Sequence, residues 1–175
     1  VLLHRDLDLV GGANRSMKDP TLYGDPDRMG SPNYYCGSSD SGGVHTNSGV
    51  ANKAAFLMTA GGTFNGYTVS GIGIPKSARI WYDTQRYLLT SGSDYQDLGV
   101  LLSQACTSLI GTASITSADC NAVREAVAAT EMNLQPGSCT AYDAPMCALV
   151  GIDSSFNGTA PGWYSAAGAW YVNDE

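Results

Sequence analysis

Between Ser48 and Met132 the apolar residues return every three or four positions, in four separate runs. That period lines up one face of a helix, so the pattern limits this stretch to amphipathic helices packed on a shared core. Val50, Ala54, Leu57 and Met58 make the first run, which stops at Gly61-Gly62. Ile74, Ala78, Trp81, Tyr82 and Leu88 make the second, and Pro75 suits its first turn. Leu98, Leu101, Leu102, Ala105 and Leu109 make the third, with Asp94 as N-cap and Gly111 as stop. Thr116 followed by Asp119 opens the fourth, whose inward positions are Val123, Ala126 and Val127. Four such helices on short connections predict a mainly α, bundle-like domain.

The flanks read differently. Residues 1–43 include "MKDPTLYGDPDRMGSPNYY", where Asp, Pro and Gly are too dense for long helices. After Met132, "NLQPGSCTAYDAPMC" reads as a linker. "GIDSSFNGTAPGWYSAAGAWYVNDE" then reads as aromatic strands separated by Gly-Pro turns. Two strands are too few for an independent β domain. The expected organisation is a helical domain over 1–132, turn-rich over 1–43 with helices over 48–132. A linker and the start of a β-type extension follow over 133–175.

Composition narrows the function classes. A net charge of −7 argues against a nucleic-acid partner, which needs a basic face. No apolar run approaches the roughly 20 residues of a membrane span. Hydrophobic residues at 43% and charged residues at only 14% fit a folded chain. Few lysines and many Ser, Thr, Gly, Asn and Tyr fit a secreted protein, as do the five cysteines. Cys-x-x-Cys is absent, so the cysteines read as disulfides rather than a zinc ribbon. Cys106 with Cys120 and Cys139 with Cys147 would each close a short loop, which leaves Cys36 over.

One stretch, "SSDSGGVHTNSG" over residues 38–49, carries the chemistry and has two readings. Asp-Ser-Gly-Gly is how the nucleophile region of a trypsin-like protease looks, which would make Ser41 the nucleophile. That fold needs strands throughout and an upstream catalytic histidine, whereas the only upstream histidine is His4 and helices follow. In the second reading Gly42 and Gly43 turn the backbone tightly, so that Asp40 returns toward the His45 imidazole. A carboxylate on one ring nitrogen fixes the tautomer and leaves the other to face a substrate. The plainer alternative is an ordinary histidine at the start of a helix.

The blocks "NRSMKDPTLYGDPD", "DSGGVHTNSGVANKAAFLMTAGG", "GIG" and "IWYDTQRYLL" together resemble the C-terminal half of thermolysin-like neutral metallopeptidases, from about Asp6 to Met132. The trailing segment resembles the extension of longer members. The resemblance implies that His45 hydrogen-bonds the oxyanion of a tetrahedral intermediate and that Asp40 orients it. It also implies that Arg15 contacts the substrate carbonyl beside the primed-side pocket. Arg15 could equally be a structural ion-pair partner. Asn14 stands where the family places a large apolar residue, which bears on the preference at the first primed position. The resemblance further implies a zinc ion and calcium in the full-length protein, and a protein or peptide substrate. Neither metal site is complete here: His-Glu-x-x-His is absent, and the stretch from Asp6 to Arg15 is short for a calcium site. The zinc ligands and general-base glutamate are expected upstream of Val1, in an N-terminal half that partners this one. Alone, the chain is expected to be inactive. A different class of reading is a binding module built on Trp163, Trp170 and Tyr171, or a stable autolysis fragment.

Overall fold

The computed structural model describes residues 14–134, Pro136 and Cys139, and the backbone of two strands near the C-terminus. Helix α1 (Ser39–Ala60) leads into an antiparallel hairpin of β1 (Gly62–Phe64) and β2 (Tyr67–Val69). Helix α2 (Ile74–Asp83) continues into a wider π turn over Thr84–Leu88, closed by Leu89 N–H on Thr84 O at 3.0 Å. Helices α3 (Tyr95–Ser108) and α4 (Ser117–Ala129) complete the bundle, and a short 3-10 helix, Pro20–Tyr23, precedes it. These elements belong to one compact unit, residues 1–138. A second unit, residues 139–175, holds the antiparallel pair β3 (Trp163–Ala166) and β4 (Ala169–Val172). The side chains of Trp163, Trp170 and Tyr171 lie outside the described residues, as does most of the 133–175 segment.

Helix starts follow the local chemistry. In α3 the Asp94 carboxylate accepts from Asp97 N–H at 2.9 Å, and Asp97 returns the bond to Asp94 N–H at 3.2 Å. In α4 Thr116 and Asp119 do the same, at 3.3 and 2.7 Å. Each reciprocal pair satisfies two amides that the helix leaves unpaired, a gain of about 1 kcal/mol per cap. Buried Asp119 also takes Lys76 Nζ at 2.8 Å, which ties the start of α2 to the start of α4.

The core forms where the periodicity places it for α1, α3 and α4: Val50, Ala54, Leu57 and Met58 meet Leu102, Ala105, Val123, Ala126 and Val127. Helix α2 follows expectation only in part: Trp81 and Leu88 pack against the core, but the rest of the stripe does not. Ile74 and Tyr82 are 55% and 57% exposed, and Ala78 is exposed too, while Ser77, Ile80 and Thr84 face inward. The buried hydroxyls explain why a polar face is tolerated. Thr59 Oγ1 donates to Ser77 Oγ at 2.9 Å, and Thr84 Oγ1 donates to Ile80 O at 2.8 Å.

The hairpin was not foreseen, although its signal lies in the sequence. Asn65 and Gly66 both have positive φ, 48° and 82°, as a two-residue hairpin turn requires. Asn65 Nδ2 then bonds Ala129 O at 3.1 Å and Glu131 Oε1 at 2.9 Å, docking the hairpin on the end of α4.

Cys106 and Cys120 form a disulfide between α3 and α4, as expected. Cys36 and Cys139 are each in a disulfide too, so Cys36 is not left over. Cys147 lies outside the described residues, and with it the expected loop to Cys139. The sequence separation across Cys106–Cys120 is 14. A loop of that size is worth about 3 kcal/mol in the chain-entropy model. Replacing both cysteines by alanine should lower the urea-unfolding free energy by about that amount; an unchanged midpoint would show that the crosslink does not hold α3 against α4.

Candidate functional site

Helix α1 is right-handed only from Val44 onward. Before it, Asp40, Ser41, Gly42 and Gly43 all lie in the left-handed region, with φ of 53°, 49°, 82° and 81°. For the two non-glycine residues that conformation costs roughly 1–2 kcal/mol each. Two things repay it locally. The turn swings the Asp40 carboxylate back over the start of the right-handed helix, where amides point outward unpaired. Oδ2 accepts from His45 N–H at 3.0 Å and from Thr46 N–H at 3.4 Å. Oδ1 meets His45 Nδ1 at 2.5 Å. Asp40 therefore caps the helix and holds the ring with one carboxylate.

The electrostatics agree with that geometry. The hydrogen bond from the His45 ring holds the Asp40 carboxyl below its usual range against burial, which pushes it up, and the two backbone amides add to the lowering. The His45 side chain is 76% exposed. With Nδ1 engaged by Asp40, Nε2 is the nitrogen left to meet another molecule. Of the two readings of the motif, Asp40 rather than Ser41 makes the contact with the ring.

Arg15 reaches the same turn from the segment before the 3-10 helix. Its Nη1 donates to His45 O and to Ser48 Oγ, both at 2.7 Å, and lies 3.7 Å from Asp25 Oδ2. Burial pushes the Asp25 carboxyl up, and the Arg15 charge offsets part of that. This segment is pressed close to α1: a Cβ at Gly49 would lie 2.3 Å from Pro26 O. Lys53 Nζ also donates to Lys18 O at 2.7 Å. Arg15 is thus tied to the backbone of His45, a structural use of the guanidinium, with its side chain still 38% exposed. Asn14 is exposed beside it.

Sequence reasoning did not single out Asn47 and Tyr95. Asn47 Oδ1 accepts from Tyr35 N–H, and Asn47 Nδ2 donates to Tyr35 O, each at 2.9 Å. Tyr95, from α3, donates its hydroxyl to Asn47 O at 2.6 Å, and burial pushes that phenol well above its usual range. No local signal marks Asn47, because its partners Tyr35 and Tyr95 stand 12 and 48 residues away.

Among the described residues no three His, Cys, Asp or Glu side chains converge as a metal site. The described residues therefore do not fit a zinc ion by themselves, and the arrangement is one of hydrogen-bond donors. Among them, too, no helix is long and apolar enough to cross a membrane.

A depressed Asp40 pKa has a definite sign for stability. The contact contributes fully above the ordinary value of 3.8 and is lost as pH falls through the lower folded value. Carboxyl NMR should give an Asp40 midpoint below 3.8, rising toward it in His45→Ala. A midpoint at or above 3.8 in the unsubstituted chain would contradict the clamp.

Residues 5–132 match the family model described as thermolysin metallopeptidase, alpha-helical domain. The chain is 44% identical over 118 residues to a thermolysin of Alicyclobacillus acidocaldarius subsp. acidocaldarius, covering 67% of this chain and 21% of that one. It is 44% identical over 126 residues to a zinc metalloproteinase of Renibacterium salmoninarum, covering 67% and 23%. It is 43% identical over 124 residues to a bacillolysin of Bacillus cereus, covering 71% and 21%. It spans about a fifth of the length of these relatives. The left-handed turn, the histidine it presents and the helices behind it thus sit in a chain that belongs to the thermolysin metallopeptidase family and carries its alpha-helical domain.

Proposed function

We propose that the chain supplies half of the active site of a secreted zinc endopeptidase, with His45 stabilising the oxyanion of the tetrahedral intermediate. The observation that carries this reading is the Asp40–His45 contact on an exposed turn. As a peptide carbonyl becomes tetrahedral, its oxygen gains negative charge, and a preorganised donor aimed at that oxygen lowers the barrier. His45 Nε2–H is that donor, and Asp40 keeps the ring from rotating away. Arg15 holds the His45 carbonyl and turns its remaining donors toward the substrate. Asn14, polar and exposed, replaces a bulky apolar neighbour and so weakens the preference for bulky apolar side chains at the first primed position.

The zinc ion, any calcium, and the general base belong in this reading to a part of the intact protein that precedes the chain. The relatives' greater length is consistent with a further part of that kind. None of the roles given to His45, Asp40 and Arg15 runs through the metal. The helical domain over 1–132 is the functional unit, and the segment over 133–175 is an appended extension.

In the intact protein, His45→Ala should lower kcat on the order of 100- to 1000-fold with little change in KM, since the bond it removes forms mainly in the transition state. Asp40→Asn should cost less, because the imidazole remains but loses its orienting carboxylate. Ser41→Ala should be nearly silent. Steady-state kinetics on the three variants make the test, with a chelator added to the unsubstituted protein. An inactive Ser41→Ala beside a chelator-resistant parent would overturn the assignment.

A further inference from the structure

The ring and carboxylate of the Asp40–His45 pair are both exposed, so core packing does not fix them. Something else must hold the turn that brings them together. Gly43 is the one buried residue of the left-handed run, and its surroundings identify the support. A Cβ there would lie 2.7 Å from Tyr35 Cδ1 and 3.0 Å from Asn47 Nδ2, so the turn rests directly on these two side chains. They are themselves locked. The Asn47 amide copies a peptide group and pairs with both backbone polar groups of Tyr35. Asn47 is only 6% exposed, and the Tyr95 hydroxyl fastens its carbonyl to α3. The chain on both sides of Asp40 is thereby pinned, at Tyr35 before the turn and at Asn47 after it.

Resting on the reading of His45 given above, we infer that Asn47, secured by Tyr95, is a positioning residue for the reaction: it fixes the turn so that the Asp40 carboxylate holds the His45 ring in its working orientation. Asn47 does not touch the substrate. Its effect passes through the ring, and that distinguishes it from a residue that merely stabilises the fold. A loosened turn lets the ring sample other directions, and small misplacements of a donor are costly in rate.

The test uses the intact protein with Asn47→Leu and Tyr95→Phe, each in the parent and in a His45→Ala background. Melting temperature is recorded for all, and kcat and KM are measured on the folded fraction. Asn47→Leu should lower kcat about tenfold with KM changed less than about twofold. In the His45→Ala background the same change should lower kcat less than about twofold, because no ring remains to be positioned. Equal losses in both backgrounds would overturn the inference and leave Asn47 a structural residue. Should Asn47→Leu not fold, Tyr95→Phe carries the same comparison, with a loss of about threefold expected only where His45 is present. If His45→Ala itself keeps full kcat, the reading of His45 falls and the inference with it. A large loss in His45→Ala without coupling to Asn47 or Tyr95 removes the inference alone.

Discussion

A single carboxylate ties together the start of α1 and the exposed ring of His45. Asp40 accepts from two amides at the start of α1 and from the His45 ring, and it reaches all three because four residues turn left-handed in succession. The turn is unfavourable on its own, and Gly42 and Gly43 lower its cost where an L side chain would add strain. What remains is offset by capping the helix and by the ring contact. The same interaction that starts the longest helix of the domain therefore also orients its exposed imidazole.

Behind that turn the bundle acts as an anchor. Val50, Ala54, Leu57 and Met58 bury the inner face of α1, and Gly49 lets the Pro20–Asp27 segment approach its backbone. That segment carries Asp25, which pairs with Arg15, and the arginine bonds the His45 carbonyl while Tyr95 bonds that of Asn47. At the far end, Glu131 takes Asn65 Nδ2 at 2.9 Å and Gly30 N–H at 2.8 Å, which closes the hairpin and the entry loop onto α4. Polar side chains make most of these ties because the segments they join run over the surface, where apolar burial is small.

Much of this was legible in the sequence because it is local. The capping pairs Asp94–Asp97 and Thr116–Asp119 act over three residues, and the α1, α3 and α4 stripes follow directly from helical period. Asp40 and His45 are legible as a pair because two glycines stand between them. On α2 the stripe holds at Trp81 and Leu88 but not at Ile74, Ala78 and Tyr82, because Ser77 and Thr84 look polar in sequence and only the fold supplies the partners that let them be buried. The hairpin escaped because its strands are three residues long and a helical stop at Gly61-Gly62 accounted for the same glycines. Asn47 was invisible for another reason: its partners are Tyr35 and Tyr95, 12 and 48 residues away.

In the proposed function, Asp40 aims the free nitrogen of His45 at the substrate. The most direct measurement is a crystal structure of the intact protein with a peptide analogue whose scissile carbonyl is replaced by a tetrahedral phosphoryl group. His45 Nε2 is expected about 3 Å from a phosphoryl oxygen, with Nδ1 still on Asp40. A ring turned away from the phosphoryl oxygens, or one that has left Asp40 to reach them, would contradict it.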